Sequence, residues 1–175
     1  MGAAETFNGA ALGHWGRNVP VFVGTHINRM DRKGRVSVPA SFRNALGDSI
    51  GQGIYVMRSI RGVQALDVFG ATSFAQLAES ISNPFASEDE DFTSAIFGAA
   101  MQLSFDNEGR IMLPEAFRTF AGIEDQACFI GRGKFFQIWE PAAGQESQEA
   151  AFRRATENRG NINLRFADRP AGGGA

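Results

Sequence analysis

The chain has 175 residues, is 43% hydrophobic, and carries 17 Lys and Arg against 19 Asp and Glu, for a net charge of −2. It can bury a real core but has no bulk attraction for a polyanion, so a nucleic-acid surface would have to come from how the charge is distributed. The single cysteine, Cys128, excludes an internal disulfide, and no apolar run reaches the roughly 18 residues of a membrane span.

Residues 1–18 are rich in Gly, Ala and Asn without a period and read as a flexible N-terminal arm. The start lacks the basic-then-apolar pattern of a secretory signal, which points to the cytoplasm. Residues 21–69 then read as strand, turn, strand, short helix and two more strands. The turn is "DRKGR". Asp31 first and Gly34 fourth suit a type I turn followed by a glycine at positive φ, with Arg32-Lys33 at the tip of a hairpin. Val36 and Val38 alternate with Arg35 and Ser37 along the next strand. Pro39 stops that strand and opens a helix carrying Phe42, with Leu46 on the same face and Gly47 at its end. "GIYVM" and "ALDVF" follow as paired strands.

Residues 70–97 read as a helical acidic linker. Ser73 with Gln76 suits a capping box ahead of Phe74, Leu77, Ala78 and Ile81. Asn83-Pro84 breaks that helix, "EDED" at 88–91 follows, and a second helix runs through Phe92, Ala95, Ile96 and Ala99. Residues 98–141 repeat the first pattern. "DNEGRIMLPEAFR" stands where "DRKGRVSVPASFR" stood, with Asp106, Gly109, Arg110, Pro114, Phe117 and Arg118 each 75 residues after their counterparts. "ACFIG" and "FFQIWEP" close the unit as strands, joined at "GRGK" by a tight turn rather than a phosphate loop. Residues 142–166 hold a C-terminal helix, centred on 145–158, and an extension; 167–175 read as a disordered tail.

One copy of roughly 45 residues is too small to bury a sufficient core, so the two copies are expected to fuse into one unit. The twin Asp-x-x-Gly-Arg-x-x-x-Pro-x-x-Phe-Arg blocks, their offset and the "IEDQACFIGRGKFFQIWEP" segment resemble the MraZ family, bacterial transcriptional regulators with two SpoVT/AbrB-type repeats. The likeness covers about residues 21–160. It implies a mainly β fold with short helices (α+β), a swapped-hairpin AbrB-like β-barrel built by the two repeats. It implies sequence-specific binding of double-stranded promoter DNA, at short repeats near the start of the division and cell-wall gene cluster and including the protein's own promoter. It also implies a ring-shaped homo-oligomer in the cytoplasm, associated with the nucleoid. A ring has a physical motive as well, because several weak tips on one body gain avidity.

Charge separates the copies. Over residues 26–43, Arg29, Arg32, Lys33, Arg35 and Arg43 against Asp31 leave +4; over 101–118, Arg110 and Arg118 against Asp106, Glu108 and Glu115 leave −1. The expectation is that Arg29, Arg32, Lys33 and Arg35 meet DNA as a basic ribbon tip, while the second copy completes the fold or the ring. Asp31, Gly34, Asp106, Gly109 and Arg110 read as turn-forming residues, each aspartate pairing with the arginine four positions on. Arg35 stands open between locking its hairpin and touching DNA. Phe42, Phe117 and Trp139 read as packing residues.

His14 and His26 stand apart and Cys128 stands alone, so no zinc spacing exists, and no nucleophile elbow or phosphate loop appears. The chain is expected to be no enzyme and to use no cofactor, metal or small-molecule substrate. The competing reading is a ring-forming protein-interaction scaffold without direct DNA readout.

Overall fold

The computed structural model describes residues 20–81 and 87–158; the arm at 1–18, the Asn83-Pro84 break and the 167–175 tail lie outside them. The first copy supplies β1 (Thr25–Arg29), β2 (Arg35–Ser37), α1 (Ala40–Leu46), a 3-10 turn, β3 (Ile54–Arg58) and β4 (Leu66–Gly70). Then come α2 (Ala71–Glu79) and α3 (Ser87–Thr93), the latter running into a π turn over Ser94–Gly98. The second copy supplies β5 (Met101–Leu103), β6 (Arg110–Met112), α4 (Glu115–Ala121), β7 (Gln126–Gly131) and β8 (Phe136–Trp139), and α5 (Pro141–Glu157) follows.

The copies are interleaved rather than docked. One antiparallel sheet runs β1-β7-β8-β4-β3-β5, and a second, two-stranded ribbon is β2-β6. Exchanging the halves of the chain maps the large sheet onto its own reverse, an internal pseudo-two-fold. Its axis passes through two facing pairs, Val36–Ile111 in the ribbon and Asp67–Gln137 in the sheet.

The architecture is α+β as expected, but the large sheet is not closed into a barrel. Each hairpin turn contributes little pairing of its own. Met30 and Val36 form one isolated bridge, after which β1 leaves to pair with β7 and β2 with β6. The ribbon strands, three residues each, are too short to bridge from β1 to β5, so those two edges stay open among the described residues.

Alternation places the core. Val36, Val38, Ile111 and Leu113 turn inward from the ribbon onto Ile54, Val56, Phe129 and Phe136 of the sheet, with Phe42 of α1 and Phe117 of α4 between them. Phe22, Phe42 and Phe136 pack ring to ring at 5.0–5.6 Å. Burying each such side chain contributes roughly 1.5–3 kcal/mol, which a single copy could not assemble alone. The opposite sheet face carries Asp67, Cys128, Gln137 and Trp139; Cys128 and Trp139 pack against Ala143 of α5.

Three local expectations need correction. α2 starts at Ala71, straight from β4, with Gly70 at its N-cap. No Ser73–Gln76 capping box forms, because Ser73 already lies inside the first turn and faces the buried side. The acidic run 88–91 lies within α3 rather than between helices. The last helix begins at Pro141, where the Glu140 carboxylate accepts the Ala142 and Ala143 N–H groups at 3.0 and 2.8 Å.

Candidate nucleic-acid interface

The two turns are built alike. In the first, Asp31 Oδ1 accepts the backbone N–H of Lys33 and of Arg35, each at 2.9 Å, and Oδ2 accepts Arg35 Nε at 2.7 Å. The Gly34 N–H donates to Asp31 O, and Gly34 takes φ 83°, which glycine adopts without strain. In the second, Asp106 Oδ1 accepts from Glu108 and Arg110 N–H at 2.9 Å, and Oδ2 accepts Arg110 Nε at 2.7 Å. These N–H bonds, led by the one from the arginine, hold both carboxyls below the ordinary aspartate value of 3.8.

Side-chain direction then sorts the ribbon. Val36 and Ile111 are buried, so Arg35, Ser37, Arg110 and Met112 share the outer face. The turns lie at opposite ends of this face, since Arg35 pairs with Met112 and Ser37 with Arg110. At one end Arg32 and Lys33 are exposed, and Arg29 is exposed at the base of the tip. Among the described residues none of these three forms an ion pair, whereas Arg35 pairs with Asp31 alone. At the other end Arg110 is held by both Asp106 and Glu108, the second contact at 2.5 Å. The structure thus brings Arg29, Arg32, Lys33 and Arg35 to one end of a two-stranded ribbon and puts the balanced copy at the other.

Two functional residues were missed in the sequence as structural parts. Val38 N–H donates to Gly109 O at 3.1 Å and Leu113 N–H to Gly34 O at 2.9 Å, so each turn is clasped by the other repeat. The Arg43 guanidinium covers Gly109, and that of Arg118 covers Gly34. Both arginines recur at the same offset as the turn motifs, and this is the signal that could have found them.

A family model described as "MraZ protein, putative antitoxin-like" matches residues 21–94 and 96–160. The chain belongs to the MraZ family. The transcriptional regulator MraZ of Rickettsia canadensis (strain McKiel) is 40% identical over 150 residues, 85% of this chain and 99% of the relative. That of Rickettsia rickettsii (strain Sheila Smith) is 42% identical over 149 residues, 84% of this chain and 98% of the relative. That of Rickettsia bellii (strain OSU 85-389) is 42% identical over 142 residues, 79% and 94% of the two chains. With these relatives, this MraZ-family chain is a transcriptional regulator and not an enzyme. No helix among the described residues is long and apolar enough to cross a membrane.

Proposed function

We propose that this regulator binds specific double-stranded DNA, at short repeats in the promoter of its own division and cell-wall gene cluster, through Arg29, Arg32, Lys33 and Arg35. The observation that carries the reading is the exposed cationic end of the ribbon. Three basic side chains there have no ion-pair partner among the described residues, on an element narrow enough for a major groove. Lys33 and Arg29 meet phosphates; Arg32 and the free edge of Arg35 reach base edges. Asp31 keeps the tip rigid, so little conformational entropy is lost on binding.

The regulator acts as a ring-shaped homo-oligomer in the cytoplasm, at the nucleoid. Two features support self-association: the open β1 and β5 edges, and exposed Val21, Val23 and Ile27 along the β1 side. A ring aligns several tips, each covering only a few base pairs, and multiplies weak contacts into avidity.

The test is footprinting and gel shift on the DNA upstream of the protein's own gene. Regularly spaced protection is expected, with affinity falling steeply as salt rises. Arg32→Glu with Lys33→Glu abolishes the shift. Unchanged binding and salt slope in that double variant would leave the scaffold reading in its place.

A further inference from the structure

The far face of the large sheet, opposite the ribbon, carries a cavity of about 350 Å³ that the DNA reading does not use. It lies between α2 and the β7–β8 turn. Its apolar wall is Phe69, Leu77 and Phe135, with the two rings stacked at 5.1 Å and 16°. Its polar wall is Ser73, Gln76, Arg132 and Lys134. Among the described residues, no acidic side chain lines it.

The polar wall is held in place. Arg132 Nε donates to Gln137 Oε1 at 2.9 Å, and Arg132 Nη1 to Gln148 Oε1 at 3.2 Å. Gln137 is itself fixed, donating to Asp67 Oδ1 at 2.7 Å and accepting Trp139 Nε1–H at 3.1 Å. Both Gln137 and Asp67 are buried. Among the described residues, Nη2 of Arg132 has no partner. Burial and the nearby Arg61 work against the Arg132 charge, with Asp67 acting the other way. The guanidinium nonetheless stays charged.

Ser73 lines the α2 side of the cavity, but its hydroxyl is shut off from solvent and has no hydrogen-bond partner among the described residues.

The pseudo-two-fold supplies an internal comparison. Asp67 faces Gln137 on the axis, and α2 and α5 begin at matching positions, Ala71 and Pro141. That alignment sets Ser73 against Ala143, Gln76 against Glu146 and Leu77 against Ser147. The matching cavity beside α5 is lined by Gly62, Val63 and Gln64 where this one has Arg132, Lys134 and Phe135. Alanine therefore suits the fold at the Ser73 position. Arg132 and Lys134 stand where the α5 side has Gly62 and Gln64, and that side draws its own cation, Arg154, from the helix and sets Glu146 beside it in the lining.

We propose that this cavity binds a small organic anion: a carboxylate or phosphate head between Arg132 and Lys134, and a flat apolar body against Phe69 and Phe135. The anion is an effector held by charge and stacking; among the described residues no carboxylate or imidazole lines the cavity to activate a nucleophile. The volume is at the lower end of metabolite pockets, and the charge selects one sign.

Calorimetric titration of the full-length protein with benzoate tests this, with benzamide as its neutral isostere and inorganic phosphate as a head without a body. Benzoate binds once per chain, at least tenfold tighter than either control. Lys134→Gln weakens benzoate at least threefold, and the double variant Arg132→Gln with Lys134→Gln at least tenfold. Unchanged thermal melting and DNA gel shift show that the variants remain folded. Absent benzoate binding would overturn the proposal, and so would equal binding of benzamide, of phosphate, or of the double variant.

Discussion

The guanidinium of Arg43 lies over the turn glycine Gly109 of the other repeat, where a Cβ would overlap its Nη1 and Cζ atoms. Arg118 covers Gly34 less tightly, its Nε 3.3 Å from where a Cβ would stand, behind Leu113 O at 3.1 Å. Each turn is therefore shaped by the half of the chain that does not contain it. Gly109→Ala combines a side chain at φ 73° with displacement of Arg43. It is expected to lower stability by about 1–3 kcal/mol in urea unfolding. Gly47→Ala, also at positive φ but with open space around it, is expected to cost about 1 kcal/mol.

The aspartate locks carry a pH signature. Both carboxyls are held below 3.8, so their stabilisation is present in full above that value and is lost as pH falls through the lower folded-state value. Asp31→Ala with Asp106→Ala is expected to be less stable than the parent at pH 6. The gap is expected to shrink steadily below about pH 4, as the parent's own carboxylates protonate. A gap unchanged between pH 6 and pH 2 would show that the carboxylate charge contributes nothing.

The ribbon's charge asymmetry sets an order of effects. Arg29→Ala and Lys33→Ala are each expected to reduce the slope of log affinity against log salt by about 0.9, the release expected from one lost phosphate contact, whereas Arg32→Ala is expected to lower affinity mainly by losing a base-edge contact. Glu108→Gln removes one of two acids on Arg110. It is expected to leave DNA affinity unchanged or raise it a few-fold, because the tip it modifies is the acidic one. A fall in affinity as large as that of Arg32→Ala would show that both tips share the duplex equally.

Phe42 touches Phe22, Phe136 and His26 and is buried in the shared core. Phe42→Ala is expected to cost about 3–5 kcal/mol, read from thermal unfolding, by leaving a cavity between the ribbon and the sheet.

Cys128 is buried on the α5 side of the sheet, and burial, helped by Glu140, pushes its thiol above the usual range. It is expected to resist thiol reagents in the folded protein and to react only on unfolding. Reaction in native buffer at the unfolded rate would contradict that burial.

The turn motifs, the alternation of Val36 and Val38, the helix stops at Gly47 and Gly122 and the uneven charge are written in short stretches of chain, where local sterics and spacing decide the outcome. Class, strand positions and the cationic tip were legible for that reason. Which strand pairs with which is a long-range choice. Met30 and Val36 bridge once before their strands part to partners some 75 to 100 residues away, so the expected barrel is an open sheet and ribbon. Ser73 shows the same limit, since its spacing fits a cap while burial against β4 puts it inside the helix. The contacts of Arg43 with Gly109, of Gln137 with Asp67 and of Arg132 with Gln137 exist only after the halves interleave. Local rules set each piece, and only the packing of one repeat through the other decides what each piece touches.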